Sequence, residues 1–251
     1  MRELRRVTRE GRELAATAAL LETEVLTDYH GGGMPDETRS LEDVRRLDTA
    51  FAALRRTVFR LGYACPDEIL LALYGGCREW TLQLAATYLR DAANLGGAPL
   101  ACEFVLPPTD RGEAEPTLRR VAADDLTNPL ARPPDGWLGI LLHLRGELLF
   151  PRYADEAGLH RITGKGATRL CLIESQPPGS KGLADYVPPA GIHRAGSVSA
   201  KGIQPRRHFD TDQLKGVDSQ TGDFIFSRGY TGAATRKQLD AWLDLRIQEL
   251  A

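Results

Sequence analysis

Between Gly158 and His208 the sequence carries eight basic side chains, Arg161, Lys165, Arg169, Lys181, Arg194, Lys201, Arg206 and Arg207, against two acids, Glu174 and Asp185. His160, His193 and His208 lie in the same window. Guanidinium, ammonium and imidazole groups concentrated in this way suit hydrogen bonding to phosphate, so the window is a candidate nucleic-acid patch. Within it, Glu156-Ala157-Gly158-Leu159-His160-Arg161 is the most informative string, because a glycine followed by two polar donors lets backbone approach a partner closely. The expected RNA-binding set is Gly158, His160, Arg161, Lys165, Arg169, Arg194, Lys201, Arg206 and Arg207.

Other chemistries fit less well. Thr163-Gly164-Lys165-Gly166 lacks the spacing and the hydroxyl of a magnesium-dependent phosphate loop, although Lys165 and its backbone amides suit a phosphate. Cys171 or Ser175 with His160 or His193 has no nucleophile elbow around it. Asp124-Asp125 stands in polar text without further metal-ligand spacing. The sequence therefore points to no catalytic residue, no metal site and no cofactor.

The elements that must hold this patch are legible from periodicity. Leu4, Val7, Gly11, Leu14, Ala18, Leu21 and Val25 form one heptad seam, and Val44, Leu47, Phe51, Leu54, Val58 and Leu61 form a second. A break at His30 to Pro35 separates them, with Ser40 as the expected N-cap of the second helix. Arg2, Arg5, Arg6, Arg9 and Arg12 then read as a solvated helix face. The apolar run Glu68 to Tyr74 predicts a central strand, the segment from Cys77 to the Gly96-Gly97 stop predicts a helix, and Leu100 to Leu106 predicts another strand. From Gly136 to Arg161, two apolar runs around Arg145-Gly146 predict a buried β-hairpin. Arg169 to Glu174 and Asp223 to Phe226 are expected strands, and Thr235 to Gln238 is a capping-box pattern for a terminal helix.

Together these predict an α+β chain in two parts: an antiparallel helical hairpin over residues 1–62, and a mixed α/β body over 63–251 closed by a C-terminal helix. The body carries a proline-punctuated surface excursion at 107–135, with a short helix expected around Leu118 to Ala123, and an irregular basic stretch at 175–206. The 251 residues bear a formal net charge of −2, which excludes a protein basic over its whole surface. The four cysteines have no paired spacing and read as reduced thiols. No apolar run approaches a membrane span, and a cytoplasmic location is expected.

Several of these strings resemble bacterial class I peptide chain release factors. Tyr74-Gly75-Gly76 through Trp80 and Tyr88-Leu89, the strand at Leu100 to Leu106, and Ala154 to Arg161 are similar to that family's central domain, whose strands end in a Glu-(Ser/Ala)-Gly-x-His-Arg string. Arg207-His208-Phe209, Leu214-Lys215, Thr221-Gly222 and the closing Lys237 to Asp244 resemble the family's last segments. The resemblance implies a release-factor-like body behind the helical hairpin. Two family features are missing from these residues. No Gly-Gly-Gln triplet occurs, and Ile162 to Thr168 stands in place of the codon-reading tripeptide and the His-Thr-Ser element, with Ala167-Thr168 its nearest approach.

What the resemblance implies is a release-factor-like translation factor that binds ribosomal RNA and does not itself hydrolyse peptidyl-tRNA. Rescue, occupancy of the A site, or one half of a split release factor whose Gly-Gly-Gln domain comes from a second protein are its three forms. The alternative is an RNA-binding regulator of a specific transcript, with mRNA as partner, built on a release-factor body.

Overall fold

A computed structural model describes residues 2–31, 37–75, 77–107, 119–179, 181–187, 204–226 and 231–249. The chain divides into two compact units, Met1–Ala64 with Leu245–Ala251, and Cys65–Asp244.

In the first unit, α1 (Arg2–His30) and α2 (Glu37–Leu61) form the antiparallel hairpin that the two heptad seams require. A Cβ on Gly11 would lie 3.4 Å from Leu54 Cδ2, which sets the register of the pair. Arg2, Arg5, Arg6, Arg9 and Arg12 are exposed along α1. The second helix begins before Ser40, so that residue is inside α2 and is not its N-cap. Phe59 stacks edge-to-face on Tyr63, whose hydroxyl accepts from Arg246 Nη2 at 2.9 Å.

The second unit is built on one nine-stranded sheet in the order β3-β2-β4-β1-β6-β5-β7-β8-β9. The strands are β1 (Glu68–Gly75), β2 (Ala98–Leu106), β3 (Arg119–Ala122), β4 (Gly139–Arg145), β5 (Gly158–Gly164), β6 (Ala167–Gln176), β7 (Arg207–Asp210), β8 (Lys215–Asp218) and β9 (Gly222–Ile225). All pairings are antiparallel except β5 with β7. β1 is buried on both faces from Ile69 to Tyr74, which is why its text is continuously apolar rather than alternating.

One face of the sheet carries Ile69, Leu71, Leu73, Phe104, Ile140, Leu142 and Ile173 and packs on α3 (Arg78–Asn94). That helix turns Trp80, Leu84, Ala85, Tyr88 and Ala92 inward at spacings of three and four. The other face carries Leu70, Ala72, Tyr74, Val105 and Leu141, and over these strands it is covered by Leu183 and Tyr186. α5 (Thr231–Gln248) contributes Ala234 and Leu239 to the main core.

Three expectations change here. The run after Arg145-Gly146 does not return as a strand; Leu149–Tyr153 is the short helix α4, entered through Leu148 at φ 55°. The segment expected as a helix near Ala123 is the edge strand β3. The terminal helix starts at Thr231, so Thr235 is a fully buried interior residue rather than a cap. All four cysteines are free thiols, and burial pushes Cys102 and Cys171 up to about 12. Among the described residues no helix is long and apolar enough to cross a membrane.

Candidate nucleic-acid interface

The polar residues expected to meet phosphate separate into a buried group and a surface group, according to the face of the sheet each one occupies. β5 and β7 pair in parallel with His160 opposite Arg207 and Arg161 opposite His208. Alternation along a strand therefore sends His160 and Arg207 to the core face and Arg161 and His208 to the other.

On the core face, Glu156 accepts Arg207 Nη1 at 2.9 Å, Arg207 Nη2 at 2.7 Å and the Tyr88 hydroxyl at 2.6 Å. Asp218 accepts Arg207 Nε at 2.8 Å, an Arg206 guanidinium N–H, and the backbone N–H groups of Gln220 and Thr221. Burial alone would raise both carboxyls. The guanidiniums outweigh it, lowering Glu156 and holding Asp218 at about 2. His160 is completely buried, and its Nε2–H donates to the Glu156 carbonyl at 2.9 Å. Desolvation, reinforced by Arg207 and Arg206 against the opposing pull of Glu156, pushes it down to about 4, so the imidazole is neutral.

These residues form a charge-balanced knot joining α3, β5, β7 and β8. His160, Arg206 and Arg207 are therefore removed from the expected RNA-binding set, because all three side chains are buried and each is held by internal hydrogen bonds. A second buried network lies nearby, where Arg152 holds Asp91 through two hydrogen bonds of 2.7 and 2.9 Å and reaches Asp240 at 2.7 Å.

Gly158 is corrected as well. The close approach its glycine allows is internal, because a Cβ there would lie 3.1 Å from Arg206 Cβ, and its φ of +132° is one that L side chains rarely adopt. Gly158→Ala is expected to cost about 1–3 kcal/mol. A shift in the urea midpoint at unchanged m checks this, and an unshifted midpoint contradicts it.

On the opposite face Arg161 Nη2 donates to His208 Nδ1 at 3.2 Å, which leaves His208 Nε2–H to donate to Thr163 Oγ1 at 2.9 Å. Burial, and then the Arg161 charge, hold the His208 pKa below its ordinary value, consistent with that neutral tautomer. Beyond them, Lys215 and Val217 on β8 are exposed.

Ile162 to Thr168, which stand in place of the resembled family's codon-reading elements, are the end of a regular hairpin. Thr163 pairs with Thr168 and Gly164 with Ala167, around a two-residue turn with Lys165 at φ 48° and Gly166 at φ 73°. Positive φ at both central residues is the type I′ geometry whose twist suits a hairpin. Asp212 Oδ2 accepts the Lys165 backbone N–H at 2.9 Å, tying the tip to the β7–β8 turn. A groove of about 560 Å³ lies between them, lined among others by Thr163, Lys165, Arg169 and Thr211. The Lys165 side chain is exposed, and Arg169 meets Glu79 only at 3.7 Å with the two side chains 46% and 68% exposed. Such a pair is worth little and leaves Arg169 available. Gly76, His193, Arg194 and Lys201 lie outside the described residues.

No protein-family model matches the chain, and no curated protein does. A solved structure does match: RF2 of Thermus thermophilus, with a TM-score of 0.51 and 13% identity, over 95% of this chain and 85% of that one. The fold is release-factor-like. At that identity the likeness concerns the path of the chain, and the residues that carried the resemblance in the sequence now have places within this fold. Glu156 and His160 of the Glu-Ala-Gly-Leu-His-Arg string, and Arg207 of Arg-His-Phe, knit strands together, whereas Arg161 and His208 from the same strings face the other way.

Sequence reasoning did not identify Glu156 and Asp218 as the partners of the arginines, nor Tyr88 as the donor to Glu156, nor Thr163 as the partner of His208. The one signal for the first of these was the tandem Arg206-Arg207 beside the apolar Phe209.

Proposed function

We propose that the chain is a release-factor-like translation factor that associates with the ribosome through RNA and does not hydrolyse peptidyl-tRNA itself. The observation that carries this reading is a release-factor-like fold with an exposed basic hairpin turn between β5 and β6, Lys165 with Arg169, beside Arg161. Only 30 residues, Pro177 to Arg206, join β6 to β7. That is where the resembled family carries its Gly-Gly-Gln domain, and these residues contain no such triplet. Acting in rescue, occupying the A site, or partnering a second protein that supplies hydrolysis are the forms this role takes.

Co-sedimentation with ribosomes at low salt tests it. The chain is expected in the ribosomal fraction, and Lys165→Glu with Arg169→Glu is expected to weaken association about 10-fold and to flatten its salt dependence. Both side chains project from the turn region, so the double variant should unfold like the parent. Absence from ribosomes at low salt, or preferred capture of one discrete transcript, rejects the reading. Peptide release from programmed ribosomes by the purified chain rejects its non-hydrolytic part.

A further inference from the structure

The groove beside the β5–β6 turn has a floor of small residues and walls of opposite charge. Gly164 pairs with Ala167 and Ile162 with Arg169, so alternation puts all four on one side of the hairpin. A Cβ on Gly164 would overlap Thr211 Oγ1 and lie 3.6 Å from Asp212 Oδ1, so the bare glycine keeps the floor open and the Asp212 carboxylate stands over the same side. That wall is fixed in place. The Thr211 N–H and hydroxyl both donate to the Thr163 carbonyl at 2.9 Å, and Asp212 Oδ2 accepts the Lys165 backbone N–H. Arg169 lies on β6 and Asp212 follows β7, with β5 between them, so about two strand spacings, roughly 10 Å, separate the walls.

Among the described residues Asp212 Oδ1 accepts no hydrogen bond, and neither Asp212 nor Lys165 forms an ion pair. An ionised carboxylate is an acceptor only, so whatever meets it must bring donors. A phosphate is repelled there and belongs to the opposite wall, with Arg169 and Lys165. Among the four RNA bases, guanine presents two adjacent donors, N1–H and an N2 hydrogen, which match the two oxygens of a carboxylate. Adenine and cytosine set one amino group beside an acceptor nitrogen, and uracil sets one N–H between two carbonyls, so each of these turns a lone pair towards the carboxylate. Such a base leaves Asp212 desolvated without a full partner, which is the stronger basis for discrimination. The volume of about 560 Å³ accommodates one nucleotide laid across the floor.

We propose that this groove selects an unpaired guanosine of an RNA strand, with Asp212 accepting from the guanine Watson–Crick edge and Arg169 and Lys165 holding the phosphate. The inference rests on the RNA association set out above and adds to it a base preference and the residue that imposes it. Arg169 and Lys165 supply affinity without regard to sequence, whereas Asp212 supplies choice at a cost in charge.

Fluorescence anisotropy of the full chain with short labelled oligouridylates, each carrying one central guanosine, inosine, adenosine, cytidine or uridine, measures it at low salt. The guanosine strand is expected to bind about 10-fold tighter than the adenosine, cytidine and uridine strands. Inosine keeps N1–H and lacks the N2 amino group, so its strand should fall between. Asp212→Asn retains an oxygen for the Lys165 N–H, so the turn is kept, and it is expected to bind all five strands alike without losing affinity for the uridine strand. Lys165→Glu with Arg169→Glu is expected to weaken all five. Equal binding of the five strands by the parent overturns the guanine preference and leaves RNA association standing, whereas no binding of any strand overturns both. A guanosine preference that persists in Asp212→Asn overturns the assignment to that carboxylate. Guanosine monophosphate is the arm for a free nucleotide: it is expected to compete more weakly than the guanosine strand, and tighter binding of the mononucleotide overturns RNA as the source.

Discussion

Arg207→Met is expected to destabilise the chain by about 3–5 kcal/mol, the range for removing one member of a buried, hydrogen-bonded ion group. Arg207 has no exposed surface and supplies two hydrogen bonds to Glu156 and one to Asp218. Methionine fills much of the arginine stem's volume, so the loss measures the charges left behind rather than a cavity. Glu156 would retain the Tyr88 hydroxyl and a longer contact with Arg206 at 3.7 Å, too little to offset its burial. The carboxyl would then favour its protonated form, so the deficit against the parent should narrow as pH falls. Urea unfolding at two pH values measures both effects. Arg169→Met is the contrast, because that residue has an exposed pair at 3.7 Å, and its loss should change stability by less than about 1 kcal/mol. Equal effects at the two arginines would contradict the division into buried and surface groups.

Acid should weaken the fold in two stages. His160 is neutral in the folded chain with a pKa of about 4 and ordinarily titrates near 6.5. Between these values the unfolded chain binds a proton that the folded chain refuses, so stability falls as pH drops through that window, by about 3 kcal/mol in full. His208 is also lowered and contributes with the same sign. Asp218 acts lower down. Its folded pKa of about 2 lies below the ordinary carboxyl value, so the unfolded chain again protonates first and a further ~2 kcal/mol is lost between about pH 4 and 2. His160→Gln keeps an N–H for the Glu156 carbonyl and has no proton to gain. It should flatten the upper stage and leave the lower one in place. Identical pH profiles for the parent and the glutamine variant would refute the assignment.

How far the sequence was readable depends on whether the deciding interactions were local. β1, α3 and β2 lie where apolar runs, helical spacing and the Gly96-Gly97 stop place them, because each signal is complete within about ten residues. The hairpin expected from Gly136 to Arg161 failed for a non-local reason. β4 is flanked by β2 and β1, so no edge was open for a neighbouring strand, and the chain coiled into α4 instead. The true hairpin, β5–β6, was hidden by glycines and by a lysine in a left-handed turn position where asparagine or aspartate is the usual signal. Strands β7 and β8 are four residues each, too short to show a period, and they are strands because the sheet extends to them.

The same division runs through the candidate interface. Residue order and spacing were enough to find the basic window and to place two heptad helices ahead of an α/β body, and the Glu-Ala-Gly-Leu-His-Arg string supplied a resemblance to release factors. Only the tertiary structure decided which cations face water. The parallel pairing of β5 with β7 brings together residues 47 positions apart and sets Arg161 and His160 on opposite sides of one sheet. Alternation assigns neighbouring side chains to opposite faces, but which face is buried depends on α3 and on the carboxylates of Glu156 and Asp218. Those partners arrive from separate elements, so no local pattern announces them.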